Sequence, residues 1–120
     1  MTPLEQEIVD LTRKWYVYVS SDHHKDRDCH WTIQQHFSYG DEPYFQAEHW
    51  GYIGGDFTGT KCKTLEEAQE ELRDKLLFSI HDAKEWLKRE IKDYTDNPNE
   101  MYFGDVEQYK DILTILEEEK

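Results

Sequence analysis

Residues 64–94 read TLEEAQEELRDKLLFSIHDAKEWLKREIKDY, and this stretch decides the fold. Thr64 followed three residues later by Glu67 is a capping box, the usual start of a helix. Leu65, Ala68, Leu72, Leu76, Ile80, Ala83, Leu87, Ile91 and Tyr94 then step by threes and fours without a Gly or Pro between them. The spacing predicts one long amphipathic helix over about residues 65–94. At 1.5 Å per residue, roughly thirty residues span about 45 Å, twice the length of a typical strand. Such a helix overhangs any small sheet it covers, unless Ser79-Ile80-His81-Asp82 caps a new helix and breaks it. The overhang carrying Trp86, Leu87, Ile91 and Tyr94 needs cover. It can come from a second copy of the chain or from the C-terminal segment, where Asp105 caps a stripe of Val106, Tyr109, Ile112, Leu113 and Leu116.

Upstream of this helix the hydrophobic period changes. Thr2-Pro3-Leu4-Glu5 is a helix start with Pro at the first helical position. Leu4, Ile8 and Leu11 then predict a short helix over about residues 3–13. From Trp15 the sequence reads Trp-Tyr-Val-Tyr-Val, β-branched and aromatic with clean alternation, which predicts a strand over residues 15–19. Residues 20–28 are polar and charged, a loop. Residues 29–38 alternate again, with Cys29, Trp31, Ile33, Gln35 and Phe37 on one face. His30, Thr32, Gln34, His36 and Ser38 take the other. Gly40-Asp41-Glu42-Pro43 is a turn, residues 44–53 form a third strand, and a short fourth strand over about 57–62 is weakly marked. The implied order is α-β-β-β-(β)-α-α. This is an α+β fold, an antiparallel three- to four-stranded meander covered on one face by helices. The 120 residues suit a single domain over residues 1–120.

Charge restricts the partners. Acidic residues outnumber basic ones 27 to 14, a net charge of −13, yet 14% of the chain is aromatic. Acid-rich tails that stay unfolded carry few aromatics, so this chain folds and displays its charge on a fixed surface. That disfavours a phosphate-backbone partner, which would be repelled, and favours a protein with a basic surface. Residues 95–120 carry 8 acids and 2 bases, nearly half the excess. Glu66, Glu67, Glu70, Glu71 and Asp74 form one acidic edge at the start of the long helix. Glu107 and Asp111, with Glu117 to Glu119, form another. Carboxylates spaced like phosphates would make the chain a nucleic-acid mimic. Against this, Arg73, Lys75, Lys84, Lys88, Arg89 and Lys92 interrupt the long helix's field.

The sheet face opposite the helices is expected to be a recognition platform. It carries His30, His36, Glu48, Tyr44, Trp50 and Tyr52, with Tyr16 and Tyr18 of the 15–19 strand pointing the same way. Tyr and Trp supply contact area with little entropy loss. A catalytic reading would pair a His with Glu48 as acid and base, but no nucleophile or phosphate-cradling loop accompanies them. His23, His24, Cys29 and His30 form a weak metal-ligand candidate, since imidazole and thiolate bind zinc. Both pairs are adjacent in sequence, so the members of each tend to point apart. The two cysteines are too few for a disulfide framework, and no apolar run is long enough for a membrane span. A cytoplasmic protein without a cofactor is expected, acting through no enzymatic chemistry of its own.

Two resemblances rest on short stretches. Gly59-Thr60-Lys61-Cys62-Lys63-Thr64-Leu65-Glu66-Glu67-Ala68 resembles the third strand and helix start of HicB-like antitoxins, which implies an antitoxin-like binding role. The α-β-β-β-α order is similar to that of double-stranded-RNA-binding domains. There the last helix begins with a basic cluster, and Glu66, Glu67, Glu70 and Glu71 stand here instead, removing that function. The sequence therefore reads as a small acidic inhibitor, antitoxin or adaptor that binds a basic, nucleic-acid-handling protein. The rival readings are a metal-binding protein or small hydrolase, and a structural subunit that dimerises through its long helix.

Overall fold

The computed structural model describes residues 1–21, 24–25, 29–37, 40, 42–53, 55–97 and 106–118. Helix α1 spans Pro3–Val19, strands β1, β2 and β3 span His30–His36, Tyr44–Trp50 and Phe57–Thr58, and helices α2 and α3 span Leu65–Asp96 and Val106–Glu117. The α+β class and the order α-β-β-β-α-α are as expected, and α2 runs unbroken past Ser79.

One element differs. Residues 15–19 are not a strand but the last turns of α1. Alternation and helical spacing compete here, because Trp15, Tyr18 and Val19 also continue the stripe begun by Leu4, Ile8 and Leu11. No Gly or Pro intervenes to end the helix before Ser20. Burial of Trp15, Tyr18 and Val19 in the core then outweighs the local β preference, as tertiary context commonly does. Both helix starts are as read. Thr2 Oγ1 accepts from Glu5 N at 3.1 Å while Glu5 Oε1 accepts from Thr2 N at 3.1 Å. Thr64 Oγ1 accepts from Glu67 N at 3.2 Å.

The sheet has the order β1-β2-β3, antiparallel throughout. β1 pairs along its whole length with β2, from His30 opposite Trp50 to His36 opposite Tyr44. β3 contributes only Glu48–Thr58 and His49–Phe57, and a bridge between Phe45 and Cys62 extends the edge. Trp31, Ile33, Ala47, His49 and Phe57 face the helices. α2 lies along that face, burying Ala68, Leu72, Leu76, Ile80, Ala83 and Leu87.

α1 runs parallel to α2. Arg73 pairs with Glu7 at 3.7 Å near its start, and Tyr18 meets Trp86 near its end. α3 returns antiparallel. Its Tyr109 packs on Trp86 with ring centroids 5.5 Å apart, and its far end reaches α1, where Lys14 Nζ donates to the Glu118 carbonyl. α3 is thus the cover expected for the overhang, with Val106, Tyr109, Ile112 and Leu116 buried. The molecule is elongated, 62 × 28 × 19 Å, with a radius of gyration of 17.0 Å. A spherical chain of this length has about 14 Å, and α2, roughly 48 Å long, accounts for the difference.

Candidate functional site

Three features bear on function: the acidic helix starts, the outer sheet face, and an aromatic seam between the layers.

The acidic edge of α2 is not uniform. Glu71 is bound internally: Thr60 N donates to its Oε1 and Thr60 Oγ1 to its Oε2, both at 2.6 Å. It fastens the β3–α2 connection to the helix. Gly59 passes so close beneath that a Cβ there would overlap Glu71 Oε1 and crowd the Ala47 carbonyl. Asp74 accepts from Arg73 Nε at 3.2 Å, and Glu67 belongs to the helix cap. On α3, Glu107 pairs with Lys110 at 3.4 Å, while Asp111 lies exposed. Glu66 and Glu70 are exposed too. Glu66 stands beside a groove of about 540 Å³ between the starts of α1 and α2. Pro3, Leu4 and the half-exposed Leu65 give it an apolar floor, and Glu5 and Glu66 line its rim. Hydrogen bonds from the Thr2 backbone and hydroxyl hold the Glu5 carboxyl below its ordinary pKa, so it is anionic at neutral pH.

The outer sheet face carries His30, Thr32, Gln34 and His36 opposite Trp50, Glu48, Gln46 and Tyr44, as the alternation predicts. Tyr44 stacks on His36 at 4.9 Å and 16°, and Lys61 Nζ sits 5.0 Å over its ring. Trp50 is exposed, and Tyr52 beyond it is 87% exposed. Tyr16 and Tyr18 do not join them. Because residues 15–19 are helical, Tyr16 lies on the solvent side of α1 and Tyr18 is buried at 5% exposure. Glu48 is also not open to solvent. It occupies the middle of the central strand between Thr32 and Thr58 and is 8% exposed. Its Oε2 meets no hydrogen-bond partner among the described residues.

The aromatic seam is the feature that strand reasoning missed. His49 lies on Trp31 with centroids 4.2 Å apart, and Trp31 meets Trp15 edge-on at 6.0 Å. Trp15 contacts Tyr18 at 5.6 Å, and Tyr18 contacts both His24 at 4.6 Å and Trp86 at 6.1 Å. Together with Tyr109 these rings join β1, β2 and all three helices. Burial, reinforced by Tyr109, pushes the Tyr18 hydroxyl up to about 12. The signal was present as the helical spacing of residues 15 and 18.

His24 therefore packs within the seam. Cys29 and His30 are adjacent at the start of β1 and take opposite faces, while His23 lies outside the described residues. Among the described residues no three His, Cys, Asp or Glu side chains gather where they could hold a metal ion. Cys29 and Cys62 are not joined in a disulfide. No helix among the described residues is long and apolar enough to cross a membrane.

Compared with family models, curated proteins and solved structures, the chain matches none.

Proposed function

We propose that this chain is a small acidic, non-enzymatic interaction protein that binds a basic surface of a protein partner through the starts of α1 and α2. The observation that supports this is the groove between those helix starts. Its apolar floor of Pro3, Leu4 and Leu65 suits the aliphatic stem of a Lys or Arg, whose charged head then lies beside Glu5 and Glu66. Glu70, one turn further along α2, extends the negative field, and the net charge of −13 steers a basic partner toward it. Mimicry of a phosphate row is less well supported, because Glu71 and Asp74 are engaged within the chain.

Capture of partners from a host lysate at about 50 mM and about 500 mM salt tests the reading, since the Debye length shrinks severalfold between them. Capture of a basic protein falls with salt. It also falls for Glu66→Lys combined with Glu70→Lys, and for Leu65→Ser. Capture that ignores both salt and these substitutions would remove the helix starts from the account.

A further inference from the structure

We infer that the chain forms a two-fold symmetric homodimer by antiparallel pairing of β1 with β1 of a second copy, with Phe37 of each copy seated in a groove of the other. The inference rests on the free edge of the sheet, not on the acidic groove above, so the two stand or fall separately.

Phe45 and Cys62 exchange both main-chain bonds at 2.8 Å, and Gly59 N donates to the Ala47 carbonyl at 2.7 Å. Phe45 and Ala47 thus direct their backbone groups toward β3. Successive residues of a strand alternate sides, so Tyr44, Gln46 and Glu48 bond toward β1, taking up the groups of His36, Gln34 and Thr32. The N–H and C=O groups of Trp31, Ile33 and Gln35 point the other way, off the edge. They meet no hydrogen-bond partner among the described residues. Edge strands are ordinarily blunted by Lys, Pro, a bulge or a covering element. β1 has no Lys or Pro, and it pairs with β2 residue for residue without a bulge.

The occupant is a second copy because the strand complements itself. Residues 30–36 read HWTIQQH, with Ile33 at the centre and His at both ends. A two-fold axis at Ile33 is the register that opposes all seven residues. It sets Trp31 against the partner's Gln35 and Ile33 against itself, so all six outward backbone groups of each copy find partners. Charge agrees. Residues 29–40 contain no Asp, Glu, Lys or Arg in a chain that is 34% charged. Two molecules of net charge −13 can meet closely there without opposing like charges, whereas a basic partner finds no carboxylate on that stretch.

The same register gives Phe37 a place. Phe37 follows β1 and is 75% exposed, and alternation puts it on the side of Trp31 and Ile33. In the dimer it comes opposite Cys29. Cys29 lines a groove of about 560 Å³ between β1 and α1, together with Trp15, Tyr16, Val17 and Trp31. Tyr16, half-exposed on α1, becomes a wall for the incoming ring. By symmetry the contact is made twice.

Sedimentation equilibrium of the full chain, from micromolar to millimolar concentration, tests the proposal. A monomer–dimer equilibrium is expected, tighter at about 500 mM than at about 50 mM salt because screening relieves the repulsion. Gln35→Pro removes an N–H that faces the edge and leaves the β2 ladder intact. It and Phe37→Glu each raise the dissociation constant at least about tenfold, with far-UV circular dichroism and Tm retained. Ile33→Cys reads the register. Antiparallel residues facing one another across a hydrogen-bonded pair stand about 5.5 Å apart at Cα, within disulfide reach. Mild oxidation therefore yields a covalent dimer from Ile33→Cys but not from the wild type with its Cys29 and Cys62. The proposal is overturned by a chain that stays monomeric throughout, or by a dimer unaffected by both edge substitutions. Failure of Ile33→Cys to cross-link a dimer seen by mass would overturn it too, as would a dimer lost only on substituting the exposed Leu77 and Phe78 of α2.

Discussion

The two halves of α2 are built from the same pattern but held in different ways. From Leu65 to Ile80 the helix lies on the sheet and beside α1, and Ala68, Leu72, Leu76 and Ile80 are buried among residues distant in sequence. From Ala83 onward fewer of its residues are buried. Its buried residues there are Ala83 and Leu87, Ile91 is only partly covered by packing on the core, and Tyr94 is exposed. What covers this half is α3, the next helix in sequence, with the end of α1 meeting it at Trp86 through Tyr18. The first half is therefore fastened by sheet and helices together, while beyond the Tyr18–Trp86 contact the second depends on the local hairpin with α3. Local stability follows the number of buried apolar groups, so the two halves separate in energy even though the periodicity runs through both.

The largest effect that tests this contrast is Leu76→Ala. Leu76 is fully buried, and removing a buried Leu side chain costs about 3 kcal/mol or more where the cavity cannot collapse. Ile91→Ala, on the overhang, costs about 1 kcal/mol, because the site is already partly open. Urea denaturation of the two variants measures the difference. Equal losses would mean that the overhang is as firmly packed as the sheet-bound half. Hydrogen exchange gives the same comparison without substitution: amides of residues 88–96 exchange ahead of those of residues 68–80.

A smaller effect probes the junction between the halves. Tyr18 and Tyr109 flank Trp86 where α1 ends and α3 packs. Burial raises both hydroxyls above the ordinary tyrosine value, Tyr18 to about 12. Ionisation is thus easier in the unfolded chain, near 10, than in the folded one. The stabilising contribution is complete below about pH 10 and is lost as pH rises through about 12. Tm should hold up to about pH 10 and then fall, and Tyr18→Phe should flatten that fall. An unchanged alkaline profile in Tyr18→Phe would show that its ring is not held in the closed seam.

Much of this was legible before the structure. The long helix, both helix starts, the outward set of residues on β1 and β2, and the cover supplied by α3 all follow from spacing and caps. Residues 15–19 were not legible, because Trp-Tyr-Val-Tyr-Val satisfies both periods at once and the choice depends on what Trp15 and Tyr18 meet. That single ambiguity moved Tyr16 and Tyr18 off the sheet face and hid the aromatic seam. Glu48 misled for a different reason: alternation tells which face a residue takes, not how thoroughly its neighbours on a central strand bury it. The acidic edge was legible as composition only. Which carboxylates remain for a partner depends on tertiary hydrogen bonds such as those from Thr60, which no spacing rule contains.

The smallest effect concerns one of those carboxylates and returns to the sheet-bound half. Glu71 accepts two 2.6 Å bonds from Thr60, and no counterpart holds the overhang in the same manner among the described residues. Bonds to a charged acceptor are stronger than neutral ones, but this pair is exposed to water, so Glu71→Ala should cost only about 1 kcal/mol. Gly59→Ala should cost a similar amount by a different route. The added methyl displaces the Glu71 carboxylate and presses on the Ala47 carbonyl. If both act through the same clamp, their effects are not additive, and the double variant is little worse than either single one. Additive losses would mean that the methyl's clash with the Ala47 backbone dominates. Glu71 and the close approach of Gly59 to the Ala47 carbonyl would then secure the β3–α2 connection independently.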